Sequence, residues 1–481
     1  MAPRQLPRDA TVSDFFYKDL TMTTISSQIA EWVCRTRLAD LPASVVEGVK
    51  LRALDLTGVM IASKDLKIVE AARAAWTGTE GEGTTNPVGS RRPTSLATAA
   101  FLNGIQASAL EFDDTYLPTT MHATGLAVSV CAPESQHRKV SGTTLIEAVL
   151  LASEIMIRLS IVSERHWFDY GIHPSGTFGP FGGVVALAKM RGLDETTIVH
   201  ALGHAGSMAQ MLTAAFEDGT STKNLHVGLA AANAFRATAL AENGISGPTA
   251  VFEGKFGWYR AMVQTEDERL YERVTTELGR EWLAENIATK LYPVANPLMP
   301  QIEATIALRD QHGIKPEDVA SIDAYLKQRS FLTLVDPVEL KRRPLTSWHG
   351  RISIHHTIAE ALVTGKIDKH SYSDEAIRDP VINDLADKVT AIADPHPEAS
   401  NYLRARARVV IHLKNGQSVE HEITDFRGTR RNPLTVDDYL HKFRANVGDI
   451  LPAASVERAI DAFLNLEQVD DIAPILGSLG S

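Results

Sequence analysis

Ala97-Thr98-Ala99-Ala100-Phe101-Leu102-Asn103-Gly104-Ile105-Gln106-Ala107-Ser108-Ala109-Leu110 runs without a break into Glu111-Phe112-Asp113-Asp114-Thr115, and that join decides how the chain reads. The first run is apolar and reads as a helix. The second crowds three carboxylates into four positions at its end, with His122 and Gly125 one short loop further on. Carboxylates at that density beside an imidazole suit proton chemistry or the gripping of a polar ligand. The competing reading is a solvated helix end, with the acidic side chains facing water.

Outward from this join the helical signal dominates. Apolar residues recur every three or four positions around Ile29, Trp32 and Val33, and again from Val45 to Leu56. Thr144 to Ile161, Thr177 to Met190, Thr196 to Leu212 and Asn224 to Ala241 continue the pattern. Many of these stretches are rich in Ala and Gly, which lets helices approach closely. Strands are scarce before residue 290, so a doubly wound nucleotide-binding sheet is not supported. The texture then changes. Val319 to Tyr325 alternates like a strand, and Ala405 to Leu413, Asn415-Gly416 and Val419 to Ile423 read as a hairpin around a two-residue type I′ turn. A helix is expected from about Ile352 to Val363, and the chain is helical again over Val436 to Phe443 and Ser455 to Leu466. The expected fold is mainly α: a large helical domain built from both chain ends (22–289 and 427–481), an inserted α+β domain (290–426), and a loose N-terminal arm (1–21).

Composition narrows the partners. The 481 residues carry a net charge of −11 and no Lys/Arg-rich block, which argues against nucleic acid and anionic membrane as partners. Cys34 and Cys131 are the only cysteines, so a disulfide framework is not expected and a reducing, cytoplasmic setting fits. The N-terminal arm lacks the apolar run of a secretory signal, and charges interrupt the long apolar stretches.

Further clusters could carry chemistry. Gly171-Ile172-His173-Pro174-Ser175-Gly176 sets an imidazole in a turn before a helix whose Gly176, Gly179 and Gly182 mimic a dinucleotide fingerprint. No strand precedes them, so small-residue helix packing is the better reading. His173 itself is either a proton carrier or a turn residue bonding its own backbone. Thr222-Lys223-Asn224-Leu225-His226 puts a lysine at a helix start, where free N–H groups attract anions. Lys290-Leu291-Tyr292-Pro293 falls where the texture changes, and clefts form at such junctions. His355 and His356 are adjacent in a helix and diverge by about 100°, so one site cannot readily use both. His200 and His204 are one turn apart but lack the glutamate of a zinc-protease motif; no metal site is expected.

Taken in order, these segments resemble the MmgE/PrpD family over about Met22 to Ile472. Pro42-Ala43 through Leu54-Asp55-Leu56-Thr57-Gly58 resembles its opening helix, and Glu111 to Asp114 with His122 its best-known motif. His173-Pro174, Lys223 with His226, and Lys290 to Pro293 follow in matching order, and Phe426, Gly428, Pro433 and Lys442-Phe443-Arg444 resemble the closing segment. The resemblance implies an all-helical main domain, a smaller α+β lid, a homodimer, and catalysis on a small di- or tricarboxylate without metal or organic cofactor. It implies His122 and His173 as active-site histidines, Lys223 and Lys290 as substrate-contacting lysines, and Glu111 and Thr115 as polar lining, with His226 beside them. Two positions depart from the animal-type cis-aconitate decarboxylases. Val294-Ala295-Asn296 stands where those carry a histidine after the lysine–proline element, and His356 replaces a tyrosine of the lid helix. His356 is therefore a third catalytic candidate. The leading expectation is a 2-methylcitrate dehydratase-like hydro-lyase. The alternatives are an iminodisuccinate epimerase-like isomerase, a decarboxylase, and a non-catalytic binding module.

Overall fold

The structure, a computed structural model, describes residues 23–163, 165–209, 211–263, 267–396 and 406–480; the expected N-terminal arm lies outside them. Its longer helices before residue 290 are α1 (Ile25–Arg35), α2 (Ala43–Ser63), α3 (Lys67–Glu80), α4 (Leu96–Ser108), α5 (Ala123–His137), α6 (Gly142–Ser160), α7 (Pro174–Arg191), α8 (Glu195–Gly206) and α9 (Thr222–Glu242). After it come α10 (Met299–His312), α11 (Ile354–Thr364), α12 (Val436–Val447) and α13 (Ala453–Leu464). The fold is mainly α. Among the described residues no helix is long and apolar enough to cross a membrane.

Helix α7 runs through the middle of the larger core and explains the glycines that mimic a nucleotide motif. A Cβ at Gly179 would stand 2.2 Å from Leu126 Cδ1 and 2.7 Å from the Ala230 Cβ, and one at Gly182 would stand 2.4 Å from Met156 Cγ. The small residues therefore let α5 and α9 close onto α7. Gly104 of α4 meets the Gly228 backbone of α9 in the same way, with 2.5 Å to an added Cβ.

Two main hydrophobic clusters divide the chain. The larger draws on residues from Ile25 to Ile287 and returns through Phe443 to Leu479. The second uses Ala288 to Phe426 and packs α10 and α11 against a four-stranded sheet. That sheet has the order β4-β3-β5-β6, from β3 (Val319–Leu326), β4 (Val389–Ala393), β5 (Ala407–Leu413) and β6 (Ser418–Ile423). β3 is parallel to β4 and antiparallel to β5. A two-residue ladder, β1 (Thr115–Tyr116) with β2 (Ile287–Ala288), ties the end of the acidic motif to the point where the cores divide.

The β5–β6 hairpin forms around a different turn from the one expected. Leu413 N–H donates to Gln417 O, closing a three-residue loop in which only Gly416 has positive φ. The Asn415 side chain accepts from Gln417 N–H at 3.0 Å, a local bond that favours this turn over type I′, which would need positive φ at Asn415 as well.

Candidate active site

A cavity of about 170 Å³ opens beside the acidic motif, lined from one side by Glu111, Thr115, His122, His173 and Lys223 and from the other by Lys290, Asn296, Lys327, Arg329 and Thr333. Every residue of the motif from Glu111 to Thr115 is buried, so the solvated-helix-end reading does not hold. Glu111 sits at φ 51, and Thr120, also on the cavity, at φ 58. Left-handed backbone at two non-glycine residues is strain that surrounding structure must hold in place, and it concentrates at functional sites.

His122 is the N-cap of α5 and His173 the N-cap of α7, while Lys223 is the second residue of α9. Three helix N-termini therefore meet at the cavity with their partial positive charge, a setting suited to a bound anion. The His122 and His173 rings are 6.2 Å apart between centroids, close enough for one small ligand to touch both.

The tautomer of His122 follows from its neighbours. Nδ1 stands 2.9 Å from the Asp114 carbonyl oxygen, which can only accept, so Nδ1 carries the proton and Nε2 is the basic nitrogen. Thr115 Oγ1 is also 2.9 Å from Nδ1, and an Asp113 carboxylate oxygen is 3.6 Å away. Ser175 Oγ accepts from the His122 backbone N–H at 2.9 Å, which links the starts of α5 and α7. Burial pulls the His122 pKa below its ordinary value; Asp113 opposes that pull and the two lysines add to it.

His173 is completely buried, its Nδ1 lies 3.1 Å from His226 Nδ1, and its Nε2 has no hydrogen-bond partner. Burial, then His226, Lys223 and His122, hold it neutral, well below the ordinary histidine range. His226 is held down to about 4 by burial and Lys223. A pair of free histidines titrating near 6.5 is therefore not what this site contains.

Lys223 Nζ donates to Glu111 Oε1, and Trp348 Nε1 donates to the same oxygen at 3.0 Å. Lys290 Nζ donates to the Glu111 carbonyl at 3.1 Å, with carboxylate oxygens of Glu111 and Asp113 at 3.6 and 3.5 Å. Burial would raise the Glu111 pKa, but Lys223, Lys290 and His122 outweigh it and keep the carboxylate ionised. Behind the motif, Lys442 bridges Asp55 at 2.8 Å and the Phe112 carbonyl at 3.3 Å, so the opening and closing segments of the chain brace it.

The expected site residues thus separate. Glu111, Thr115, His122, His173, Lys223 and Lys290 line the cavity, and Ala295 lines it too. His226 is not among the lining residues and stands behind His173, which it can orient. His356 is displaced from the expected position: it is fully buried in α11, 3.3 Å from Glu360 and packed against Tyr372, away from the cavity lining. The first turn of α11 points it into the second core. Sequence reading did not single out Thr120, His166, Asn296, Lys327, Arg329, Ser330 or Thr333, all of which line the cavity. Asn296, Arg329, Ser330 and Thr333 lie in single helical turns too short to carry a pattern, and the others in connections between elements. His200 and His204 bond the carbonyls of Gly247 and Ile245, and no metal-holding group of three or more His, Cys, Asp or Glu occurs among the described residues.

Family models match most of the chain. The MmgE/PrpD N-terminal domain matches residues 27–270 and the MmgE/PrpD C-terminal domain residues 292–468. A cis-aconitate decarboxylase-like protein of Aspergillus oryzae is 27% identical over 470 residues, covering 94% of this chain and 96% of its own length. The cis-aconitate decarboxylase of Mus musculus is 29% identical over 388 residues, 78% of this chain and 76% of its own. The 2-methylcitrate dehydratase of Cupriavidus necator is 22% identical over 413 residues, 81% and 84% respectively.

Proposed function

The chain belongs to the MmgE/PrpD family, and from that premise we propose that it is a cofactor-independent lyase that eliminates water from a small hydroxy-polycarboxylate, in the manner of a 2-methylcitrate dehydratase. The observation that carries the reading is the locked tautomer of His122, whose Nε2 is left basic beside Lys223, Lys290 and three helix N-termini. His122 takes the proton from the carbon next to a carboxylate, and Asp113 at 3.6 Å steadies the imidazolium that forms. Lys223, Lys290 and the helix ends stabilise the negative charge that then builds on that carboxylate. The carbon–carbon double bond forms as the carbon–oxygen bond breaks, and His173 protonates the departing hydroxide. Bound carboxylates supply the negative field that raises the His173 pKa, so the acid is charged when substrate is present. The segment 290–426 acts as the lid over this floor, carrying Lys290, Lys327 and Arg329 to the ligand.

Decarboxylation is the second reading. It is favoured by the near full-length similarity to a cis-aconitate decarboxylase-like protein. Against it stands Ala295, which lines the cavity where the animal-type decarboxylases carry an imidazole. Incubation with a panel of hydroxy-di- and tricarboxylates in D₂O, followed by NMR, separates the possibilities. A new alkene without loss of carbon is expected. Carbon dioxide release would establish the decarboxylase, deuterium exchange with retained substrate the epimerase, and no reaction with any of them would overturn the enzymatic reading.

A further inference from the structure

A second cavity, of about 220 Å³, shares no lining residue with the first. It lies where three segments of the chain cross: the first half of α2, with Ser44, Gly48 and Arg52; β2, with Ile287; and the return into α12, with Arg430 and Tyr439. Here the chain passes between its two cores, and Thr289 N–H donates to the Gly428 carbonyl at 2.9 Å, joining the outgoing passage to the returning one.

The polar side chains around this cavity are engaged, with one exception. Ser44 Oγ donates to Glu285 at 2.9 Å, and Arg430 donates to Asn286 at 3.1 Å and faces Glu285 at 3.4 Å. Thr429 Oγ1 donates to the Phe426 carbonyl at 3.2 Å, and the Tyr439 hydroxyl is 2.7 Å from Thr289 Oγ1. Arg52 is the exception. Its side chain is 8% exposed, and its Nε has no hydrogen-bond partner among the described residues. Its contact with an Asp114 carboxylate oxygen is 3.9 Å long, too far for a hydrogen bond. A guanidinium carries five N–H donors in a planar fork, and burying one unsatisfied is costly. Gly48 leaves the space it occupies: a Cβ there would stand 2.9 Å from Arg52 Nη1.

Helix α2 adds positive character from a second direction. Its N-cap is Pro42, which supplies no side-chain hydrogen bond, and Ser44 and Val45 of its first turn border the cavity. The N-terminus of a 21-residue helix presents free N–H groups and partial positive charge. Water could satisfy the guanidinium donors but not its charge, whereas an oxyanion meets both, because its oxygens match the fork. We propose that this cavity binds a small oxyanion, either a mineral one such as phosphate or the carboxylate of a small acid, with Arg52 as its main contact. The site is separate from the catalytic cavity and does not depend on the lyase reading. The bound anion braces the seam, since Arg52 belongs to α2 and the facing wall to the return into α12.

Titration calorimetry with inorganic phosphate and, separately, acetate tests this without turnover. The wild-type protein should bind at least one of them; tighter phosphate binding assigns a mineral oxyanion, tighter acetate binding a carboxylate, and either supports the site. Arg52→Met should weaken the tighter anion at least about tenfold, the scale of one charge-assisted contact. Lys223→Met, which removes a cation from the catalytic cavity, should leave that affinity within about threefold. Leu434→Glu sets a carboxylate at the half-buried rim while keeping Arg52 beside Asp114, and should cause the same tenfold loss. It decides the matter if circular dichroism shows Arg52→Met to be unfolded. Affinity that Arg52→Met and Leu434→Glu leave unchanged overturns the proposal, and loss in Lys223→Met alone would put the anion in the catalytic cavity instead. A wild-type protein that binds neither anion leaves the second cavity to water and also overturns it.

Discussion

His122→Asn isolates the chemistry of the site from its architecture. The asparagine amide nitrogen falls where Nδ1 stands, so it can still donate to the Asp114 carbonyl, while nothing takes the place of Nε2. Nδ1 has two oxygen neighbours, each at 2.9 Å, in a fully buried setting. An alanine would orphan the Asp114 carbonyl at a cost of about 1–3 kcal/mol, whereas asparagine keeps that bond and should lose no more than about 1 kcal/mol. A positioned general base contributes about 10²–10⁴-fold in rate, or roughly 2.7–5.4 kcal/mol of barrier. The expected result is therefore a kcat at least about a hundredfold lower with a nearly unchanged urea midpoint. His122→Gln should be equally inactive and less stable, because its amide reaches the Nε2 position and abandons the Asp114 bond. Turnover can be followed by the ultraviolet absorbance of the new alkene. An Asn variant that retains more than about a tenth of wild-type turnover would refute the assignment of His122 as base. The acid limb of the wild-type kcat/KM profile should also fall below pH 6.5, because burial lowers the His122 pKa in the free enzyme.

Lys223→Met leaves the buried Glu111 carboxylate to Trp348 Nε1 and to Lys290 at 3.6 Å and should cost about 1–3 kcal/mol, with Glu111→Gln in the same chain recovering part of it; a double-mutant coupling near zero in urea titrations would show the pair to be inert. Gly104→Ala should destabilise by about 1–3 kcal/mol or more, because its Cβ would meet the Gly228 backbone at 2.5 Å, while Gly78→Ala, with open space around it, should not. Acid should weaken the fold before carboxylates alone would. His166, His226, His349 and His355 have folded pKa values of about 3 to 4, so the unfolded chain takes up their protons first. Their stabilisation is complete above about pH 6.5 and is lost as pH falls toward about 4. Asp114, raised to about 6 mainly by burial, works in the opposite sense between about 6 and its unfolded value, as do Asp55, Glu154, Glu253 and Glu303, which burial also raises; His122 and His173, lowered by burial, join the four histidines and leave the imidazoles in the majority. A urea midpoint at pH 5 equal to or above that at pH 7 would contradict this. Ligand binding should take up protons, seen as a buffer-dependent heat in calorimetry at pH 7, since carboxylates raise the pKa of His173; equal heats in phosphate and Tris would argue against it acting as the charged acid.

Local pattern made the helices legible. The three- and four-residue spacing sets α6, α7 and α9 to within a few residues, and the small-residue reading of Gly176, Gly179 and Gly182 follows from the missing strand. The order of the motifs also marks which histidines and lysines border one site. Partnership was not legible. Glu111 meets Lys223 across 112 positions and Lys290 across 179, and no local spacing encodes such a pairing. His356 illustrates the converse. Helix geometry separates it from His355, but only tertiary packing shows that Glu360 and Tyr372 enclose it. The cavity residues Lys327, Arg329 and Thr333 carry no motif because the short helical turns after β3 are too brief for a periodic pattern. β4 was missed for a related reason, since five residues paired parallel to β3 make too short a run to announce a strand.

The acidic cluster that first drew attention does its work at one remove. Glu111 and Asp113 face the lysines, and Asp114 offers its backbone carbonyl, not its carboxylate, to His122. In the proposed mechanism the carboxylates therefore set charge and orientation, and the imidazoles move protons. An ion network assembled before the ligand arrives has little reorganising left to do when charge develops, which is the condition for strong electrostatic stabilisation. Its cost is visible in the left-handed backbone of Glu111 and Thr120 on either side of β1. Strain at both ends of a two-residue ladder points the same way, because β1 sets Thr115 against the chain just before Lys290. Loosening that ladder, for instance with Ile287→Pro, should then lower kcat more than it raises KM, because it disturbs orientation of the base while leaving Lys327 and Arg329 in place. A variant whose KM rises while kcat holds would mean that β1 and β2 serve binding and do not hold His122.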